Sequence, residues 1–189
     1  MKTLRLVLGA LILFGLAACE TPQQPTTTIT QPVYGAPIKL DVAAIEVQRG
    51  FSTAGWAAAE QSFADKLLDG VDTWARTRLV AVGRTGSAKV IVQNASVGER
   101  VLRRQNSATT MERVKQYDGV VSVKIDAIDR ATMRTGFADA TVSRSRTMPI
   151  KTSVAKRNRT WNDMAYDMLK ELDSTLGAIV KKRMPRLIK

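Results

Sequence analysis

Apolar residues recur along this chain with two periods, and the change of period marks its elements. From Trp56 to about Val80 they stand at Trp56, Phe63, Leu67, Leu68, Val71, Trp74, Ala75 and Leu79, in steps of mostly three or four. Glu60, Lys66, Asp69, Asp72, Arg76 and Arg78 fall on the remaining faces. That spacing predicts an amphipathic helix with one wide apolar stripe, on which Trp56 and Trp74 read as core packing against a sheet. Ser52 or Thr53 is available to cap it, and Gly83 with Gly86 ends the segment. Gly70, in the middle, costs about 1 kcal/mol of helix propensity relative to Ala. A second such pattern starts near Asn158–Asn162 and runs to about Met184 through Trp161, Met164, Ala165, Met168, Leu172, Leu176, Ile179 and Val180. Asp163 and Asp167 sit in its first turns and Lys181, Lys182 and Arg183 in its last, as the helix dipole favours. Pro185 stops it.

The other period is two. Lys39 to Gln48 is β-branched and nearly alternating, with a slip at Ala43–Ala44, and predicts a strand with a small irregularity. Ser87 to Val101 holds a second strand, interrupted around Asn94. In Val120 to Ile128, Val121, Val123, Ile125 and Ala127 alternate with Ser122, Lys124 and Asp126, which is a half-buried strand. Phe137 to Met148 alternates more weakly, with Ala138, Ala140 and Val142 on one side. The link from Arg103 to Gln116 is polar and long for a hairpin. It is either a mobile surface loop or a place where two strands project beyond the sheet.

The order strand, helix, three strands, helix predicts an α+β single domain over residues 38–189, with a basic C-terminal tail. Its sheet is four-stranded and antiparallel-rich, and two amphipathic helices packed on one face bury both stripes at once. The first strand, returning through a helix, lies parallel to a neighbour.

Ahead of the domain stands a different pattern. Lys2 and Arg5 precede an almost purely apolar run, Leu6 to Leu16, which is too short to span a bilayer, and Leu16-Ala17-Ala18 leads to Cys19. This resembles a bacterial lipoprotein signal, whose Leu-Ala-Ala-Cys box is matched residue for residue by Leu16 to Cys19. The resemblance implies a diacylglyceryl group on the Cys19 sulfur, removal of residues 1–18, and acylation of the new amine. It makes the membrane a partner through acylated Cys19. A thiolate is the soft nucleophile that such alkylation needs, and several acyl chains anchor where one does not. Glu20 departs from the Asp that tends to hold members of the family in the inner membrane, so the outer membrane, facing the periplasm, is the expected location. Residues 19–37 hold four prolines, one acid and no Lys or Arg, and are read as an extended tether.

Composition narrows the chemistry. No histidine occurs, and the single cysteine is the lipid-attachment residue, so cysteine or imidazole metal sites and Ser-His or Cys-His nucleophiles are excluded. The reading implies no metal, cofactor or catalytic residue. Asp126 and Asp129, the nearest carboxylate pair of interest, flank a strand end where Asp serves a turn.

The formal charge is +12, and residues 144–189 hold twelve Lys or Arg against four acids. Arg144, Arg146, Lys151, Lys156, Arg157 and Arg159 form the candidate anion-binding cluster, suited to a phosphorylated lipid headgroup or another polyanion. Arg100, Arg103 and Arg104 join it if the strands pair as predicted. The same residues equally describe a solvated basic surface, and the tail Lys181–Lys189 could lie against anionic membrane. Nucleic acid is disfavoured, because the anchor places the domain outside the cytoplasm and no aromatics interleave the cations.

The element order and the anchor together are similar to the LPS-assembly lipoprotein type and to auxiliary lipoproteins of envelope ABC transporters. That resemblance implies a non-enzymatic accessory in outer-membrane assembly or lipid transport, with a barrel protein or transporter subunit as partner. A structural envelope-integrity lipoprotein without a ligand is the alternative, and a carboxylate-only hydrolase a third class.

Overall fold

The slip in the first alternating run is a real break. In the computed structural model, which describes residues 31–105 and 111–189, that run forms two short strands, β1 (Ile38–Leu40) and β2 (Ala44–Arg49). The signal segment, Cys19, Glu20 and the tether through residue 30 lie outside the described residues, as do residues 106–110 of the polar link. The amphipathic pattern that follows is α1 (Ala58–Arg78). It starts two residues later than Trp56, whose ring stacks on Phe51 at 6.2 Å. Ser52 and Thr53 do not cap it. The Ser52 hydroxyl accepts from the Ala54 N–H, and Ala57 takes the cap position with no side-chain acceptor to offer. Leu79 was expected in the helix but opens a third short strand, β3 (Leu79–Ala81), which pairs in parallel with β1. Three residues cannot display a period, which is why this small sheet escapes a pattern reading.

Three long strands follow: β4 (Ser87–Gln105), β5 (Met111–Asp129) and β6 (Arg134–Pro149). The main sheet runs β2-β4-β5-β6, with β2 parallel to β4 and the remaining pairs antiparallel. The fold is therefore α+β, as the pattern predicts, with a small parallel two-stranded sheet added. In β4 the register against β5 shifts between Val92 and Asn94. That shift absorbs the extra residue, Gln93, and so keeps Ala95 and Val97 on the face already used by Ala88, Val90 and Val92; in an unbroken strand the alternation would turn them to solvent.

Helix α2 (Val154–Arg183) begins at least four residues before the expected start, with the Ser153 hydroxyl accepting from the Lys156 N–H at 3.3 Å. Its first turn carries no buried side chain, so the apolar period begins only at Trp161. Phe63, Leu67, Val71 and Trp74 of α1, with Met164, Met168, Leu172 and Leu176 of α2, cover one face of the sheet over Val90, Val92, Val121, Val123 and Ile125. Burying each such side chain contributes roughly 1.5–3 kcal/mol, which makes this interface the main source of stability.

Both chain ends of the domain are tied down. Tyr34 packs on the core, its hydroxyl donating to Gln31 Oε1 at 2.9 Å, and the Gly35 N–H donates to Asp173 Oδ2 at 3.0 Å. Thus Tyr34 and Gly35, within the stretch read as tether, contact the two helices. The expected basic tail is likewise docked. After a 3₁₀ turn (Pro185–Leu187), Ile188 bridges antiparallel to Leu40, and Lys189 Nζ pairs with Asp41 at 2.7 Å. No helix among the described residues is long and apolar enough to cross a membrane.

Candidate functional site

Strand register decides which cations meet. Arg103 pairs with Arg113 and Arg104 with Glu112 across β4–β5, while Val114 of β5 lies opposite Pro149 of β6. The polar link is thus largely two strand arms extending past the end of β6, the second of the two possibilities left open by its sequence. Those arms place Arg100, Arg103, Arg104, Arg113 and Lys115 at the end of the sheet where β6 turns into α2. Lys151, Lys156, Arg157 and Arg159 sit on that turn and on the first helical turns. Over residues 97–105, 111–118 and 144–162 this end holds eleven Lys or Arg and three acids.

Not all of that charge is free. Arg144 is bound to Glu171, and Arg146 Nη2 lies 2.6 Å from Asp167 Oδ2, so these two predicted residues join β6 to α2. Arg100 pairs with Asp118 at 3.1 Å and Lys115 with Glu99 at 2.6 Å. Lys115, followed by the Tyr117 hydroxyl, holds the Glu99 carboxyl below its ordinary range. Burial, followed by the Glu99 charge, pushes the Tyr117 phenol up. Arg103, Arg104, Arg113, Lys151, Lys156, Arg157 and Arg159 make no ion pair among the described residues. Those seven carry the net field of this end.

Beneath them is an aromatic cluster that the sequence did not announce. Trp161 meets Phe63 edge-on at 5.7 Å and Tyr117 at 5.4 Å, and the Arg157 guanidinium lies 5.3 Å above its ring. Arg113 and Lys115 were missed as members of the site because their segment shows no alternation. Their spacing from Arg103 and Arg104 on a hairpin was the one available signal.

The carboxylate pair does not assemble. Asp126 pairs with Lys124 at 2.8 Å. Asp129 is buried in the β5–β6 turn, where it accepts from the Thr132 hydroxyl at 2.5 Å and the Ala131 N–H at 3.1 Å. The described residues contain no group of three or more acids that could hold a metal ion.

No family model and no curated protein matches the chain. Several solved structures resemble it. A neuraminyllactose-binding hemagglutinin homologue from Helicobacter pylori is 10% identical, with 84% of this chain and 94% of that one covered at a TM-score of 0.47. A minor lipoprotein from Acinetobacter baumannii is 10% identical over 76% and 96%, at 0.38. The rare lipoprotein B of Shewanella oneidensis is 10% identical over 74% and 95%, at 0.39. At these identities and superpositions the likenesses assign neither a family nor an activity.

Proposed function

We propose that this protein is a non-enzymatic, acyl-anchored envelope lipoprotein that serves as an accessory in outer-membrane assembly or lipid transport. Its basic end engages a membrane partner or an anionic lipid headgroup. The observation that supports this most is the gathering of seven cations, without ion pairs among the described residues, where the β4–β5 arms meet the start of α2. The Leu16–Cys19 box supplies the anchor in this reading. The chain leads from that box into Gln31–Gly35, which are docked between α1 and α2 through Gly70 and Asp173. Anchored there, the domain presents its cations at the opposite end of the sheet, where they would meet a polyanion rather than the anchor's own attachment point. Attraction of this kind is worth about 1 kcal/mol per Lys or Arg near an anionic surface and weakens with salt.

The test is crosslinking in intact cells, followed by capture of the full lipidated chain and mass spectrometry of what it retains. A barrel protein or transporter subunit, lost on charge reversal at Arg103, Arg104 and Arg159, is the expected result. Recovery of peptidoglycan-associated proteins alone would replace this reading with that of a structural lipoprotein. A Cys19→Ser chain should no longer sediment with membranes.

A further inference from the structure

Between the first turns of α1 and α2 lies a cleft of about 190 Å³ with a one-sided inventory of polar groups. Lys66 and Arg157 line it, and no carboxylate does. Lys66 Nζ donates to Asn162 Oδ1 at 2.9 Å and has no ion pair among the described residues, and burial lowers the proton affinity of its ammonium. The Nε of Arg157 is buried with no acceptor among the described residues. Trp161 forms part of the wall and is only 7% exposed, yet its indole N–H also lacks an acceptor among the described residues. Glu99, the acid that Arg157 influences, is already taken by Lys115 and Tyr117. Ala58 and Ala59, which open α1, complete the wall; the Glu60 carboxylate of that turn accepts from the Ala57 N–H at 3.2 Å and is not part of the lining.

Each buried donor left unsatisfied is costly, and native folds rarely leave several together. Here two cations and a tryptophan with an unsatisfied indole N–H border one space whose lining contains no negative group. Its complement is an anion with several acceptor oxygens. The volume is below that of pockets that enclose drug-sized molecules, so it suits a single headgroup rather than a nucleotide. We infer that the cleft between α1 and α2 binds one phosphate group, held by Lys66, Arg157 and Trp161 against the Phe63 ring. The phosphate could come from a lipid monoester or from a soluble phosphate, and the chemistry of the cleft is the same for both. The inference stands on these donors and does not require the accessory role proposed above.

Equilibrium dialysis of the full-length anchored chain in neutral detergent, against radiolabelled inorganic phosphate at fixed ionic strength, tests it. Flotation with phosphatidylcholine vesicles, with or without phosphatidic acid, forms the second arm. Lys66→Met removes a cation, and Ser62→Glu, at an exposed position on the cleft wall, supplies an internal carboxylate without touching the core. The expected result is saturable binding of one phosphate per chain, at least about tenfold weaker in either variant, with melting temperatures unchanged in the absence of phosphate. Retention of phosphatidic acid vesicles, but not of inorganic phosphate, with the same loss in both variants, would identify the source as lipid. Binding of inorganic phosphate alone would identify it as soluble. Absence of saturable binding in both arms, or binding that Lys66→Met and Ser62→Glu leave intact, would overturn the inference.

Discussion

Gly70 of α1 and Leu169 of α2 occupy one another's space: a β carbon on Gly70 would stand inside the Leu169 side chain. Both residues are buried, so the glycine that looks like a weak point in a helix is where α1 makes room for a side chain of α2. Gly70→Ala should gain about 1 kcal/mol in helix propensity and lose more to overpacking, for a net destabilisation of about 1–2 kcal/mol. Urea unfolding of Gly70→Ala, Leu169→Ala and the double variant checks this. The double variant should be more stable than the sum of the singles predicts, because the new methyl then fills the space left by the leucine.

Asp173 collects the donors that hold the incoming chain. Its Oδ1 accepts from Arg78 Nε at 2.6 Å and from the Trp74 indole at 2.9 Å, and its Oδ2 accepts from Gly35. Burial raises the proton affinity of this carboxyl, but the Gly35 N–H, Trp74 and Arg78 together outweigh it and hold its pKa below the ordinary value. Asp173→Ala strands all three donors and should cost about 3–5 kcal/mol. Arg78→Met leaves the carboxylate two of its donors and should cost about 1–3 kcal/mol. Denaturant midpoints rank the two, and hydrogen exchange at the Gly35 amide should accelerate in Asp173→Ala well before global unfolding.

What the sequence disclosed depended on whether a face was buried. The second half of β5 was legible because Val121, Val123, Ile125 and Ala127 face the helices. The first half was not, since its buried positions, Val114 and Tyr117, stand three apart and the facing arm of β4 is exposed on both faces from Gly98 to Val101. The same reason hid the first turn of α2. The cation cluster could be read as a run, but the pairing of Arg144 with Glu171 and of Arg146 with Asp167 depends on how α2 lies over β6, which no local pattern encodes. Lys66 and Asn162 of the cleft stand 96 positions apart and meet only through packing of the two helices.

Those pairings separate two kinds of basic residue. A bound pair such as Arg144–Glu171 contributes little net field, whereas Lys156 and Arg159 are exposed and unpaired among the described residues. Lys156→Gln and Arg159→Gln should therefore each weaken binding to phosphatidylglycerol-containing vesicles by about fivefold at low salt, corresponding to about 1 kcal/mol per charge. The double variant Arg144→Gln/Glu171→Gln removes a neutral unit and should leave binding unchanged. Vesicle flotation over a range of salt concentrations checks both, and equal effects would show that location within the basic end is irrelevant.

Arg134 ties three parts of the fold to Asp129. Its guanidinium lies 3.1 Å from Asp129 and 2.8 Å from Asp41, and it donates to the Arg186 carbonyl at 3.0 Å, so the β5–β6 turn, the segment after β1 and the chain end share one group. The Thr132 hydroxyl lowers the Asp129 pKa most; burial works in the opposite sense, and Arg134, Thr85 and the Ala131 N–H lower it further, to about 2 from 3.8. Because the folded value is the depressed one, folding favours the ionised form. Its contribution is complete above about pH 4 and is lost as the pH falls from 3.8 through about 2. In Asp129→Asn that contribution is absent at every pH. Urea midpoints measured between neutral pH and pH 2 should show the variant less stable at neutrality, with the gap closing through this window as the wild type loses stability faster. A gap that stays constant down to pH 2 would mean that the Asp129 charge contributes nothing and that the turn is held by its geometry alone.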